Sequence, residues 1–308
     1  MVSQPQAILI AGPTASGKSA LALELAERVN GALINADASQ VYAELQILSA
    51  RPSAAATARA PHLLYGHVPA RERYSVARWL RDAREAINHM RAQGRVPILV
   101  GGTGLYFKAA LEGLADVPPI PAHVREAAHA LYEDLRPDGF NKWLARHDPE
   151  AAFRWPANDR ARSLRAYEVI IATGKPLSEW HKEGAPPLFA ANETARVALV
   201  PDRAELYARC DERFDAMIAA GAIEEVRALL ALDLDPTLPS MKAVGVEELA
   251  QVIRGALALE AASEKAKLRT RHYVKRQLTW IRHQMADWVL CARPDVGAVT
   301  TQLGAGAH

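Results

Sequence analysis

The chain has 308 residues, of which 50% are hydrophobic and 23% charged; this is the composition of a globular protein, and the length suits one main domain with an insertion. Its 37 Lys and Arg against 35 Asp and Glu leave a net charge of +2, too small an excess to announce nucleic-acid binding by itself, so the distribution of charge must decide. Its 2 cysteines, Cys210 and Cys291, have no C-x-x-C spacing and no His cluster, which argues against a disulfide framework or a zinc site and suits a reducing cytoplasm.

Taken in chain order, Ala7–Ala11 is a short apolar run after a polar leader without a basic n-region, which reads as a buried strand rather than a signal peptide. Gly12, Pro13, Thr14, Ala15, Ser16, Gly17, Lys18 and Ser19 follow, matching G-x-x-x-x-G-K-[ST]. From Lys18, the apolar positions Leu21, Leu25 and Val29 repeat at helical spacing up to Asn30-Gly31. Strand, glycine-rich loop and helix together form a phosphate cradle: backbone N–H groups turn inward, the helix N-terminus adds its positive end, and Lys18 adds a charge. Ser19 is the expected Mg²⁺ ligand.

Leu33 and Ile34 open a second short strand that ends near Asp37, which places that carboxylate at a strand C-terminus, where open α/β sheets bind ligands. A carboxylate there can hold Mg²⁺ through water, bind a substrate hydroxyl, act as a general base, or simply cap a loop. After a Pro- and Ala-rich stretch, Arg51–Pro69, an exposed helix is expected over Ser75–Gln93, and a buried strand over Val96–Val100 that closes in Gly101-Gly102-Thr103-Gly104. A helix begins again at Leu105. The strand at Val96 ends without the acidic residue that ATPases and GTPases of this fold use near Mg²⁺, which moves small-substrate transferases ahead of motor or switch NTPases.

Asp116–Pro121 is a proline-dense hinge, followed by helical sequence bearing Arg and Trp to about Glu193; strand character resumes at Ala195–Val200. Amphipathic helices are expected from Arg203 to about Leu230, from Val244 to Arg254 and from Ala262 to Asp287. The expected organisation is therefore an α/β, P-loop NTPase-like parallel sheet core in residues 1–115 and 195–290, an all-helical insertion in 116–194, and a loose tail in 291–308. No stretch approaches a membrane-spanning length. Between Lys265 and Arg282 seven Lys or Arg occur without an acidic residue, interleaved with Tyr273 and Trp280, an electrostatic footprint for a phosphate backbone that a solvated charged face would also produce.

Asp37-Ala38-Ser39-Gln40-Val41-Tyr42, Gly101-Gly102-Thr103-Gly104-Leu105-Tyr106-Phe107 and Lys275-Arg276-Gln277-Leu278-Thr279-Trp280-Ile281-Arg282, together with the cradle, resemble the tRNA dimethylallyltransferase (isopentenyltransferase) family from about Ala7 to Trp288. The resemblance implies transfer of a dimethylallyl group from dimethylallyl diphosphate to N6 of the adenine 3′ of the anticodon, in the bacterial, cytoplasmic form of the enzyme. It implies that the cradle holds the diphosphate, that Lys18, Arg213 and Mg²⁺ on Ser19 stabilise the leaving group, that Asp37 is the base, and that Thr103 lies near the reacting adenine. Arg209, one turn before Arg213, is held in reserve for the diphosphate. The tRNA anticodon stem-loop is expected on Asp37, Ala38, Ser39, Gln40 and Thr103, on Arg125, Arg162 and Arg165 of the insertion, on Lys242 and Gly245, and on Lys275, Arg276, Gln277, Thr279, Trp280 and Arg282. The enzyme is expected to act as a monomer. Two departures stand out: Ala38 where the family commonly has Ser, and Ser49-Ala50-Arg51-Pro52 where it has Thr-Ala-Lys-Pro. The alternative that the residues leave open is a nucleotide or small-molecule kinase.

Overall fold

In the computed structural model, which describes residues 6–184 and 186–304, the chain divides into two compact units, Met1–Leu111 with Leu188–His308, and Glu112–Pro187. The first is built on a parallel sheet of six strands: β1 (Ala7–Ala11), β2 (Gly31–Asn35), β3 (His62–Leu63), β4 (Val96–Gly101), β5 (Thr194–Leu199) and β6 (Val289–Cys291), in the order β3-β2-β4-β1-β5-β6. β1 and β2 are buried along their whole length, as parallel strands covered on both faces must be, and every fully buried Ile or Leu contributes about 1.5–3 kcal/mol. The register sets Ala11 beside Gly101 and Asn35 beside Val100. The loops leaving β1, β2 and β4 therefore emerge side by side at the carboxyl ends of the strands.

The helices of this unit are α1 (Lys18–Arg28), α2 (Ala54–Arg59), α3 (Val76–Ala92) and α4 (Gly104–Glu112), and after the second unit α9 (Arg203–Ala219), α10 (Ala222–Leu230), α11 (Val246–Ile253), α12 (Leu259–Gln284) and α13 (Val296–Gly304). α3 starts where Ser75 accepts the Arg78 N–H, a side-chain N-cap, and buries Trp79, Leu80, Ala83, Ile87 and Met90 at helical spacing. Leu206 and Cys210 of α9 pack with Val274 of α12, with Ala15 of the phosphate loop against them. The stretch expected as a loose tail instead begins with Cys291, the last residue of the edge strand β6, and carries α13, and Val299 is fully buried in the cluster that holds Ile8, Ile10, Val197 and Leu199. Val299 shows why: a few apolar residues suffice when they cap an existing core. Residues 305–308 of that expected tail lie outside the described residues.

The second unit is helical: α5 (Ala122–His147), α6 (Pro149–Arg154), α7 (Arg160–Thr173) and α8 (Leu177–Lys182). α5 breaks at Arg136, whose φ of 58° precedes Pro137, since the proline ring cannot continue the helical ladder. Its core is aromatic and aliphatic, with Tyr132, Phe140, Leu144, Leu164 and Val169. Asp148 is fully buried yet satisfied, accepting the Ala151 N–H at 3.0 Å and the Ser178 N–H at 3.0 Å, so one carboxylate fastens α6 and α8. The Ala110 carbonyl accepts the Leu188 N–H at 2.7 Å, so the first unit's chain leaves and returns at one point.

Candidate active site

The loop after β1 is a concave nest. Ala15 (φ 63°) and Gly17 (φ 88°) both take left-handed backbone conformations, and alternation of this kind turns successive N–H groups to the inside of a turn. Gly17 is doubly required, because a Cβ there would also lie 2.8 Å from Cγ of Pro294. Lys18 opens α1 and its Nζ donates to the Pro13 carbonyl at 3.1 Å, bending back over the loop. Burial pushes its ammonium down to about 8; the Asp37 carboxylate opposes that fall, and the Arg213 guanidinium adds to it. The three groups expected to do chemistry thus share one electrostatic neighbourhood. Burial likewise lowers Arg213, with Cys210 and Asp37 opposing. Arg209 pairs with Glu205, one turn before it on α9.

Asp37 follows β2 and is 6% exposed. Its Oδ1 accepts the Ser39 N–H at 3.0 Å and the Ser39 hydroxyl at 2.7 Å. Oδ2 points the other way, 3.2 Å from where a Cβ on Gly102 would stand. The backbone beneath it is fixed by a residue that patterning concealed: Asn35, fully buried at the end of β2. The Asn35 Oδ1 accepts the Asp37 N–H at 2.9 Å, and its Nδ2 donates to the Asp37 carbonyl at 2.9 Å and to the Leu64 carbonyl at 3.0 Å. The Asn35 carbonyl in turn accepts the Trp79 indole N–H at 2.7 Å, and Trp79 stacks on Tyr106 with ring centroids 4.4 Å apart. Thr103 ties the third loop to the second: its Oγ1 accepts the Ala38 N–H at 2.9 Å and its N–H donates to the Ala36 carbonyl at 3.2 Å. The charge of this carboxylate is felt by three phenols. Burial raises the pKa of Tyr65, Tyr106 and Tyr273, and the charge of Asp37 raises each further, so all three stay neutral. Of the three, Tyr106 and Tyr273 lay inside motifs legible in the sequence, and Tyr65 did not.

The remaining expected contacts divide. Ala38 is exposed beside Asp37. The Gln40 amide is spent on its own loop, donating to the Ser49 and Ala50 carbonyls at 2.9 Å each. On α12, Lys275, Arg276, Thr279 and Arg282 are exposed, and the Arg276 guanidinium sits 5.6 Å from the Tyr273 ring centre. The basic run is narrower than its composition suggests, because Lys267 pairs with Asp215, Arg269 with Glu248 and Arg271 with Asp211, acids of α9 and α11 brought alongside by packing. Gln277, expected on the RNA side, is buried at 6% exposure, and the Trp280 indole N–H is buried against Gly104. Gly245 is buried too, its N–H held by Glu248 at 3.1 Å, while Lys242 is exposed with its carbonyl accepting from Arg269. In the second unit Arg162 is exposed and pairs with Asp159 at 2.6 Å; Arg125 and Arg165 are half-buried, and burial followed by the opposing charge of Glu168 sets the lowered pKa of Arg165.

For Mg²⁺ the site offers the right chemistry: the Ser19 hydroxyl, exposed in the first turn of α1, and the Asp37 carboxylate are hard oxygen donors, the kind that share Mg²⁺ with substrate phosphate oxygens. Among the described residues there is no group of three or more His, Cys, Asp or Glu able to hold a metal unaided.

Comparison with known proteins converges on one family. The family model described as IPP transferase matches residues 40–284, and that described as isopentenyl transferase matches residues 5–61. A tRNA dimethylallyltransferase of Nitrobacter hamburgensis is 53% identical over 282 residues, 92% of this chain and 89% of the relative. One of Phenylobacterium zucineum is 53% identical over 285 residues, 92% of each chain. Among solved structures, the tRNA isopentenylpyrophosphate transferase of Bacillus halodurans is similar with a TM-score of 0.68, 29% identity and 97% coverage of both chains. A eukaryotic dimethylallyltransferase captured acting on tRNA is similar with a TM-score of 0.79 and 29% identity, over 98% of this chain and 76% of that one.

Proposed function

The chain belongs to the tRNA dimethylallyltransferase family, and from that premise we propose how its residues carry out the transfer of a dimethylallyl group from dimethylallyl diphosphate to N6 of the adenine 3′ of the anticodon in tRNA. The observation that carries the reading is that Lys18 bends over the phosphate loop onto the Pro13 carbonyl, that Asp37 Oδ2 and the Gly12 carbonyl border the same Gly102 position, and that Asp37, Lys18 and Arg213 act on one another electrostatically. The adenine N6 forms a bond to C1 of the dimethylallyl group as the C1–O bond breaks and its electron pair leaves with diphosphate. Lys18, Arg213 and the N–H groups at Ala15 and at Gly17 to Ser19, around the start of α1, stabilise the charge that collects on the leaving group. The buried Ser16 hydroxyl, which has no hydrogen-bond partner in the described structure, gains an acceptor when a phosphate oxygen enters the loop. Mg²⁺ held at Ser19 would add further positive charge beside the departing diphosphate.

The proton leaves N6 for Asp37. An exocyclic amine conjugated to a purine is a weak nucleophile, so a base that accepts its proton as the new bond forms accelerates the reaction by about 10²–10⁴-fold. Ser39 holds Oδ1, and Oδ2 is the oxygen left toward Gly102 and the phosphate loop. The adenine must leave its stack to reach this carboxylate, a few kcal/mol that is smallest in a single-stranded loop. RNA phosphates are read by Lys275, Arg276 and Arg282 on α12, by Lys242, and in the second unit by Arg125, Arg162 and Arg165. The relatives are named for prenyl transfer, which disfavours the kinase alternative.

Single-turnover transfer and stem-loop binding measured on Asp37→Ala test the assignment. The expected result is a stem-loop Kd within about twofold of the parent with turnover reduced about 10²–10⁴-fold. Undiminished turnover would remove Asp37 from the reaction.

A further inference from the structure

α12 carries Val274 and Ile281 on a buried apolar stripe that Met285 continues just past its end, and Gln277 interrupts it. A buried amide costs free energy unless all its hydrogen-bonding groups are used, so a glutamine held in this stripe needs partners. It has two, on separate functional loops. Oε1 accepts the Thr14 N–H of the phosphate loop at 3.0 Å, and Nε2 donates to the Gly102 carbonyl at 2.9 Å. Gly102 precedes Thr103, which holds Ala38 beside Asp37. The Gly102 position is closed around this amide: a Cβ there would lie 2.2 Å from Gln277 Nε2, 3.2 Å from Asp37 Oδ2 and 3.3 Å from the Gly12 carbonyl.

We propose that Gln277 is a positioning residue for the transfer reaction, one amide that sets the spacing between the phosphate loop and the loop bearing Thr103, and through it the distance between the diphosphate and Asp37. It touches neither RNA nor the reacting atoms; its neighbours Lys275, Arg276 and Thr279 face solvent while it faces the cradle. By fixing the Thr14 N–H it also withholds that donor from the phosphates, so the cradle presents the N–H groups further along the loop. The inference rests on the prenyl-transfer reading for its kinetic consequence, but the effect on the cradle can be measured without any transfer.

The test is Gln277→Met, which keeps the side-chain length and removes both hydrogen bonds, with three readouts: calorimetric binding of inorganic diphosphate, steady-state transfer, and anisotropy of a labelled anticodon stem-loop. The expected result is diphosphate affinity and donor kcat/KM each lowered about tenfold, with stem-loop Kd changed by less than about twofold, since two bonds to separate loops are lost. Loss of stem-loop binding with diphosphate binding intact would overturn the proposal and return Gln277 to the RNA surface; unchanged values throughout would overturn it as well. Should the methionine substitution impair folding, Gln277→Asn, an amide too short to span both loops, must give the same pattern. A cycle with Gly102→Ala provides a second arm: that substitution should cost several-fold less in donor kcat/KM in the Gln277→Ala background, because the atom the new methyl meets is gone. Strict additivity would contradict the coupling. If diphosphate binding responds as expected and no variant or parent transfers a prenyl group, the failure belongs to the reaction assignment and not to Gln277.

Discussion

Lys18 illustrates how burial sets chemistry at the residue scale. Taking an ammonium out of water favours its neutral form, and with Arg213 nearby its pKa falls to about 8, while an incoming diphosphate favours the charged form. Lys18 is therefore charged in the free protein below that value and progressively neutral above it. The donor kcat/KM, which reports the free enzyme, is expected to fall as pH rises through about 8, whereas kcat, which reports the loaded enzyme, holds to higher pH. A pH profile of both parameters checks this, and a donor kcat/KM that stays level between about pH 7 and 10 would count against it. Asn35 offers a second case. Its side chain holds both the N–H and the carbonyl of Asp37, so Asn35→Ala leaves the carboxylate in place but loosens its backbone. Transfer is expected to drop about tenfold or more, with the midpoint of thermal unfolding also lowered because buried backbone groups lose their partner.

Elements make the site by bringing strand ends together, and their legibility in the sequence was uneven for physical reasons. β1, α1 and β4 announce themselves because parallel strands buried on both faces are continuous apolar runs and the glycine-rich loop punctuates them. β3 has two residues and α2 buries none of its side chains, so neither leaves a pattern to read in the Pro- and Ala-rich stretch. Gln277 and Asn35 were hidden by the opposite effect: polar residues inside apolar elements look like solvent-facing positions until their buried partners are seen. The same holds for α12, where Lys267, Arg269 and Arg271 add to the charge count but answer acids on neighbouring helices. The two classes of cation predict different behaviour. Arg276→Ala should weaken stem-loop binding and reduce the slope of log K against log salt by about one, whereas Arg271→Ala should leave that slope unchanged and cost at most about 1 kcal/mol of stability. Titrations over a range of salt distinguish them, and equal slopes for Arg276→Ala and the parent would remove α12 from the RNA surface.

For the whole molecule, the hydrogen bond between Ala110 and Leu188 places the two connections to the helical unit side by side. Insertions whose ends meet can be removed with a short loop at little entropic cost. Replacing residues 112–187 by a short Gly/Ser linker is expected to leave the first unit folded and able to bind inorganic diphosphate, while stem-loop affinity falls through loss of Arg125, Arg162 and Arg165; calorimetry and anisotropy on the shortened chain check both halves of that expectation. That Asp37, Lys18, Thr103 and Arg213 all belong to the first unit supports its role as the seat of the chemistry. Whether the phosphate cradle holds a group that leaves rather than a phosphoryl group that is transferred is decided by mass spectrometry of the nucleosides of tRNA incubated with the protein, dimethylallyl diphosphate and Mg²⁺, without ATP. The expected products are dimethylallyl adenosine at the position 3′ of the anticodon and an equal amount of released diphosphate, both lost in Asp37→Ala. Unmodified tRNA from the parent protein, with phosphoryl transfer to an acceptor once ATP is supplied, would contradict prenyl transfer.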